Sequence, residues 1–166
     1  TCSLKDPTTM PTTRRFVSHT LRLSRVAGFL ILSGAWSVQA QGPTATVEVV
    51  VGTARNTQGG IGCQLFASTE GFPKKTEKAL QTVMSPIGGG TARCRFSQLP
   101  AGTYAVAVVH DENGNQKLDS NFLGVPTEGY GVSNNKTYAM SEPRWDESRF
   151  ELAAGETRQL SISLRY

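Results

Sequence analysis

The chain is predicted to be all-β: a seven-stranded antiparallel β-sandwich with one short helix and one long irregular loop. Three observations predict this. Short runs such as Thr46–Val51 and Thr157–Arg165 alternate their side chains with the period of a half-buried strand. The 17 Gly and 8 Pro among 166 residues supply turns between those runs. No uncharged apolar run reaches the roughly 18 residues of a membrane-crossing helix.

Residues 1–40 differ in composition from the rest and are expected to be an export signal. Arg14, Arg15, Arg22 and Arg25 precede the uncharged apolar run Val26–Trp36, and Val38-Gln39-Ala40 places small residues where a signal peptidase cuts. The competing reading is a buried core helix, but charge, apolar run and small residues come in the order of an export signal. Met10 is a natural start, which makes Thr1–Thr9 an over-extended reading frame or an added remnant. The Arg14-Arg15 pair hints at twin-arginine export, though the residues after it favour the ordinary secretory route. No Cys follows the apolar run, so no lipid anchor is expected. The mature domain is then residues 41–166, periplasmic or secreted, with no membrane span.

Removing that leader changes the charge. The whole chain carries 17 Lys and Arg against 13 Asp and Glu; residues 41–166 keep 12 of each. The excess positive charge belongs to the leader, and no clustered basic face is left to neutralise phosphates. Nucleic acid is excluded as a partner on this ground.

Taken in order, Thr46–Val51 is a strand with Val47, Val49 and Val51 on one face, and Arg55–Gly60 is a turn. Ile61–Ala67 is a second strand. Ser68–Lys75 is a loop, and Pro73–Leu80 is the expected short helix, with Pro in its first turn. Gln81–Ile87 and Thr91–Ser97 are the third and fourth strands. Leu99-Pro100-Ala101-Gly102 is a tight turn, and Thr103–His110, apolar on both faces, is a central strand. Arg149–Leu152 and Thr157–Arg165 complete seven strands, a number and spacing that suit a sandwich.

Cys63 and Cys94 are the cysteines outside the leader. Each shares a strand face with apolar residues, so both are expected to point into the core. A disulfide suits an exported domain; two buried free thiols are the alternative.

Asp111–Arg144 shows no clear period over 34 residues, too long for a structureless loop without a role. Within it, Asp111, Asn113, Asn115 and Asp119 place oxygen side chains at positions 1, 3, 5 and 9, the spacing with which calcium loops wrap a hard cation. Gln116 stands at the sixth position, where such loops have Gly, and Phe122 at the twelfth, where they have an acid. Glu112 or Glu128 would have to fold in. A polar hairpin, signalled by Asn113-Gly114, is the alternative.

Chemistry for catalysis is sparse. His110 is the one His outside the leader; a hydrolase would need it with Asp111 or Asp119, yet no nucleophile motif accompanies it. The neighbours Asp146 and Glu147 would point apart on a strand and suit a solvated surface. Phe122, Tyr130, Tyr138, Trp145 and Phe150 cluster in or just after the irregular stretch. Tyr130 and Trp145 are candidate stacking residues for a glycan or other flat ligand, against the alternative that the rings roof the core.

The pieces Glu70-Gly71-Phe72-Pro73, Leu99-Pro100-Ala101-Gly102-Thr103-Tyr104, His110-Asp111-Glu112-Asn113-Gly114-Asn115, Lys117-Leu118-Asp119, Asn121-Phe122-Leu123-Gly124, Glu128-Gly129-Tyr130-Gly131 and Ser133-Asn134-Asn135 together resemble the bacterial domain-of-unknown-function 2141 family, over about Thr44 to Tyr166. The resemblance implies an exported protein and no established activity. It also implies Gly where this chain has Gln116, a departure that counts against calcium. The turn and strand at Leu99–Val106 look like transthyretin-type and collagen-adhesin B-type sandwiches, so an immunoglobulin-like or transthyretin-like topology is expected. The expected function is a binding or structural module, with calcium as the one candidate cofactor. Its partner would be a small molecule, a glycan or a cell-envelope protein; carbohydrate binding and a small periplasmic hydrolase using His110 are the alternatives.

Overall fold

Alternation in the N-terminal strand sets the whole frame. The structure is a computed structural model that describes residues 42–136 and 141–166; the segment expected to be an export signal, Cys2 and Tyr138 lie outside the described residues. Strand β1 (Ala45–Gly52) buries Ala45, Val47, Val49 and Val51 and leaves the residues between them half-buried. It pairs antiparallel with β4 (Ala92–Leu99), Val49 opposite Cys94 and Val47 opposite Phe96. On its other side lies β8 (Thr157–Ser163), with Val49 beside Leu160 and Val51 beside Ile162. This is the first sheet, in the order β4-β1-β8.

The second sheet has the order β3-β2-β5-β6, built from β2 (Gly60–Phe66), β3 (Gln81–Ser85), β5 (Gly102–Asp111) and β6 (Gly129–Val132). Strand β7 (Phe150–Leu152) pairs with the start of β5, on residues Gly102–Tyr104, while β6 pairs with its end, Ala107–His110. Ser133 covers the gap between these two partners. Its hydroxyl accepts the Val106 N–H at 3.0 Å and donates to the Ser148 carbonyl at 2.5 Å, so the central strand keeps no orphan donor there.

Between the sheets, Ile61, Cys63, Leu65, Tyr104, Val106 and Val108 of the second face Val47, Val49, Val51, Cys94, Phe96 and Ile162 of the first. Cys63 and Cys94 form a disulfide across this core, with Cα atoms 6.4 Å apart, inside the span such a bond requires. Tyr104 donates its hydroxyl to the Pro100 carbonyl at 2.9 Å, four residues back. That contact pins the turn into β5 as a tyrosine corner does in other sandwiches.

The all-β sandwich stands as expected, and three details differ. First, β8 runs parallel to β1, not antiparallel. It arrives from β7 in the other sheet through the turn at Ala153–Glu156, so no hairpin sets its direction. Second, eight strands occur among the described residues, because β6 lies inside the stretch expected to be irregular. Its inward positions are Gly129 and Gly131. A Cβ there would come within 2.6 Å of the Tyr166 ring and 2.8 Å of Ile162 Cγ2, so the strand has no apolar alternation to show. Third, Pro73–Leu80 holds only a 3₁₀ turn at Thr76–Lys78, and the α-helix, α1, is Trp145–Ser148. Eight residues without an amphipathic face are too few to sustain a helix; Phe72 and Ala79 fold onto the second sheet instead. Among the described residues no helix is long and apolar enough to cross a membrane.

Candidate functional site

The outward face of the second sheet is divided in two. Towards one end, Phe66, Ala107 and Val132 are covered by Phe72, Ala79 and Trp145, with Phe72 packed edge-on against both Phe66 and Trp145. Towards the other end this cover stops. Register places Gly62 between Met84 and Val109, and Gln64 between Thr82 and Ala107. Small residues in the central strands make this part of the face concave. The segment Pro73–Glu77 forms one wall, and Gln116, Lys117, Leu118 and Ser120 form the other. The result is a cleft of 540 Å³, within the size range of small-ligand sites.

Gln64 sits on the cleft floor at 8% exposure. Its Nε2 donates to Thr76 Oγ1 at 2.9 Å, while Oε1 has no hydrogen-bond partner. Turning the amide over would exchange which end is satisfied and still leave one end unmet. A buried polar atom left this way costs about 1–3 kcal/mol. Core packing does not account for it, because the side chain faces away from the core.

The Asp/Asn loop rises from the end of β5 beside this cleft. Asp111 is buried, and its carboxylate accepts three backbone N–H groups: Gly114 and Asn115 at Oδ1, and Gln116 at Oδ2. Asp119 accepts from the side-chain amides of Asn113 and Asn115. Glu128, adjacent to β6, folds under the loop and accepts the Glu112 and Asp119 N–H groups. Gln116 adopts φ 62°, the left-handed conformation in which a Gly was expected. The four residues singled out for calcium therefore share one loop. Their hydrogen bonds close it on itself, and among the described residues no three His, Cys, Asp or Glu side chains converge as a metal-holding group.

His110 lies on the opposite face of β5 and is fully buried. Its Nε2 donates to the Gln58 carbonyl at 2.9 Å, and its Nδ1 meets the Tyr166 hydroxyl at 2.7 Å. Both ring nitrogens are thus engaged, and neither faces a cleft. The Tyr166 hydroxyl also accepts the Arg55 N–H at 3.0 Å, and the Arg55 guanidinium stacks 4.5 Å from the Tyr166 ring centre. Arg55 makes a two-pronged bond to Glu112 at 2.6 and 2.8 Å. That guanidinium holds the Glu112 carboxyl below the ordinary carboxylate range. Together these groups tie the β1–β2 loop, the end of β5 and the C-terminus into one brace.

The aromatic candidates are placed apart from the cleft. Trp145 packs on Phe72, Phe150 is in the core, and Phe122 is 95% exposed. Tyr130 lies beside Val109 on the outward face, with its backbone bonded to Arg165, but neither it nor Trp145 lines the cleft. Sequence reasoning missed Gln64, Thr76 and the lysines around them. One signal was available: Gln64 is the polar residue in the otherwise apolar run Gly60–Phe66, where an uncharged amide has to find a partner.

Fold and cleft together define a two-sheet β-sandwich whose functional candidate is a concave outer sheet face. Residues 49–160 match the family described as an uncharacterized protein conserved in bacteria, DUF2141. The chain belongs to that family. No curated protein and no solved structure matches it.

Proposed function

We propose that this protein is an exported binding module that takes a small ligand into the cleft between Pro73–Glu77 and Gln116–Ser120. The observation that carries the reading is the half-satisfied amide of Gln64: a ligand polar group supplies the partner that the fold withholds. The disulfide supports export, since such bonds persist in oxidising compartments. The test is an amide-resolved NMR titration of the full chain against a library of small polar metabolites. Binders should shift Gly62, Gln64, Thr76 and Lys117, and a Gly62→Val chain should lose those shifts, because the new side chain enters the cleft where a Cβ already meets Met84 Sδ at 3.2 Å. A library that moves none of these signals at millimolar concentration overturns the reading.

Calcium belongs to the same proposal as a stiffener of the cleft wall. Two features support it: Glu128 folding in where the loop lacks its own final acid, and the left-handed Gln116. The two Glu128 oxygens accept one N–H each and keep a lone pair for a cation. Millimolar calcium is expected to raise the melting temperature by several degrees, reversibly with EDTA and not in Asp119→Ala. Superimposable melting curves remove calcium and leave the cleft reading intact.

A further inference from the structure

The three most exposed large apolar side chains among the described residues stand together. Phe122 is 95% exposed, Leu123 72% and Val125 55%. Single exposed apolar residues are ordinary on a protein surface, but a contiguous group is the kind of feature that marks a contact site. These three crown a narrow hairpin. At its base the Thr127 N–H donates to the Asp119 carbonyl at 2.8 Å; Ser120 bridges Pro126, and the Asn121 N–H donates to the Val125 carbonyl at 2.9 Å.

The apex is held out in one shape. Asn121 Oδ1 accepts the Leu123 N–H at 2.9 Å and the Val125 N–H at 3.1 Å, and the Asn121 carbonyl accepts the Gly124 N–H at 2.9 Å. Gly124 turns the chain back with φ 77°. Pro126 has no N–H to satisfy. Within Asn121–Thr127 only the Phe122 N–H is then left without an acceptor among the described residues. No residue from Ser120 to Thr127 carries a charge.

These two properties select the partner. A protein that reads a hairpin or strand does so in part through open backbone groups, for which it supplies partners. A lipid surface supplies few, so a segment that enters one has to satisfy its own donors and leave charge behind. Phe and Leu are the side chains such segments bury at the boundary between headgroups and acyl chains. Around the base, Arg55 and Lys117 stand against Asp111, Glu112, Asp119 and Glu128. No excess of positive charge is there to draw an anionic surface, so apolar burial is the driving force.

We propose that the Ser120–Thr127 hairpin docks the protein on a neutral phospholipid surface, with Phe122 and Leu123 entering the headgroup boundary. The attachment is peripheral and reversible, and it needs no ligand in the cleft.

The test is NMR of the full chain with phosphatidylcholine bicelles, in EDTA so that calcium plays no part. The run Val26–Trp36 is apolar enough to bind lipid itself, so the readout is local: the line width of each backbone amide with and without a nitroxide on the lipid acyl chain. The Phe122, Leu123 and Gly124 amides should broaden more than any others in residues 42–136 and 141–166. In a Phe122→Ser/Leu123→Ser chain, the lipid concentration needed for that broadening should rise at least about tenfold, since burying either side chain is worth about that factor. Both side chains are exposed, so the variant should unfold at the wild-type denaturant midpoint. Phe122→Trp, which keeps the apex apolar, should retain the broadening and is the control if the serine chain is unstable. Absence of selective broadening at the apex overturns the proposal, even if the chain is held on lipid elsewhere. Equal broadening in the serine chain, or its loss in Phe122→Trp, does so too. Concentration-dependent shifts at the apex without lipid, abolished by the serines, would assign the apex to a second copy of the chain instead. None of these outcomes bears on the cleft titration, so the two readings stand or fall separately.

Discussion

Replacing Cys63 and Cys94 together by alanine is expected to lower stability by about 3–4 kcal/mol from loss of the bond alone, the entropy of a closed loop of roughly this length. The bonded cysteines are 31 residues apart in the chain. They stand on β2 and β4, strands of different sheets that share no backbone ladder. Side-chain packing and this one covalent link therefore hold the two layers together at that point. Both cysteines are buried, so the substitution also removes two sulfurs from a packed core. Reduced wild-type chain separates the two effects, because it keeps the sulfurs and loses only the bond. For a domain of this size the loss corresponds to a fall in melting temperature of roughly 10–20 °C. Urea melts of the oxidised, reduced and double-alanine chains are the measurement. An oxidised chain no more stable than the reduced one would show that the link adds nothing to the sandwich.

The strands that sequence made visible are those with one wet face and one dry face. β1 and β4 alternate because each covers the core from the three-stranded sheet, and Cys94 was assigned inward on that ground. β2 and β5 are buried on both faces, so their apolar runs showed strands, and on β2 the inward face of Ile61, Cys63 and Leu65, but not what covers the outward residues. The cleft was hidden for that reason: Gln64 stands out in its run as the one polar side chain, but only the fold brings Pro73–Glu77 and Gln116–Ser120 up as walls around it. β6 was hidden because its inward residues are Gly, made necessary by Ile162 and Tyr166 some thirty residues further on. The Asp/Asn loop was legible because its polar residues bond within one short segment. His110 was legible as a strand-end residue but not as a brace, since Gln58 and Tyr166 are 52 and 56 residues away in the chain. Local interactions leave a local pattern; long-range partners leave none.

His110→Ala is expected to destabilise the protein by about 3–4 kcal/mol, combining the cavity left by a fully buried ring with two orphaned partners. The Gln58 carbonyl loses the Nε2–H donor, and the Tyr166 hydroxyl loses its contact with Nδ1. Tyr166→Phe removes only the hydroxyl, which also accepts the Arg55 N–H, so about 1–2 kcal/mol is expected. If the two residues act as one brace, the double variant should fall short of the sum by about 1 kcal/mol, since the His110–Tyr166 bond can be lost only once. Chemical denaturation of the four chains completes the cycle. The same set separates a structural histidine from a catalytic one. A catalytic histidine in an open site can be removed with little loss of stability, because water replaces its contacts. A brace cannot, because no water reaches a ring with no exposed surface. A His110→Ala chain that unfolds at the wild-type denaturant midpoint would therefore remove the brace and return His110 to the candidates for chemistry.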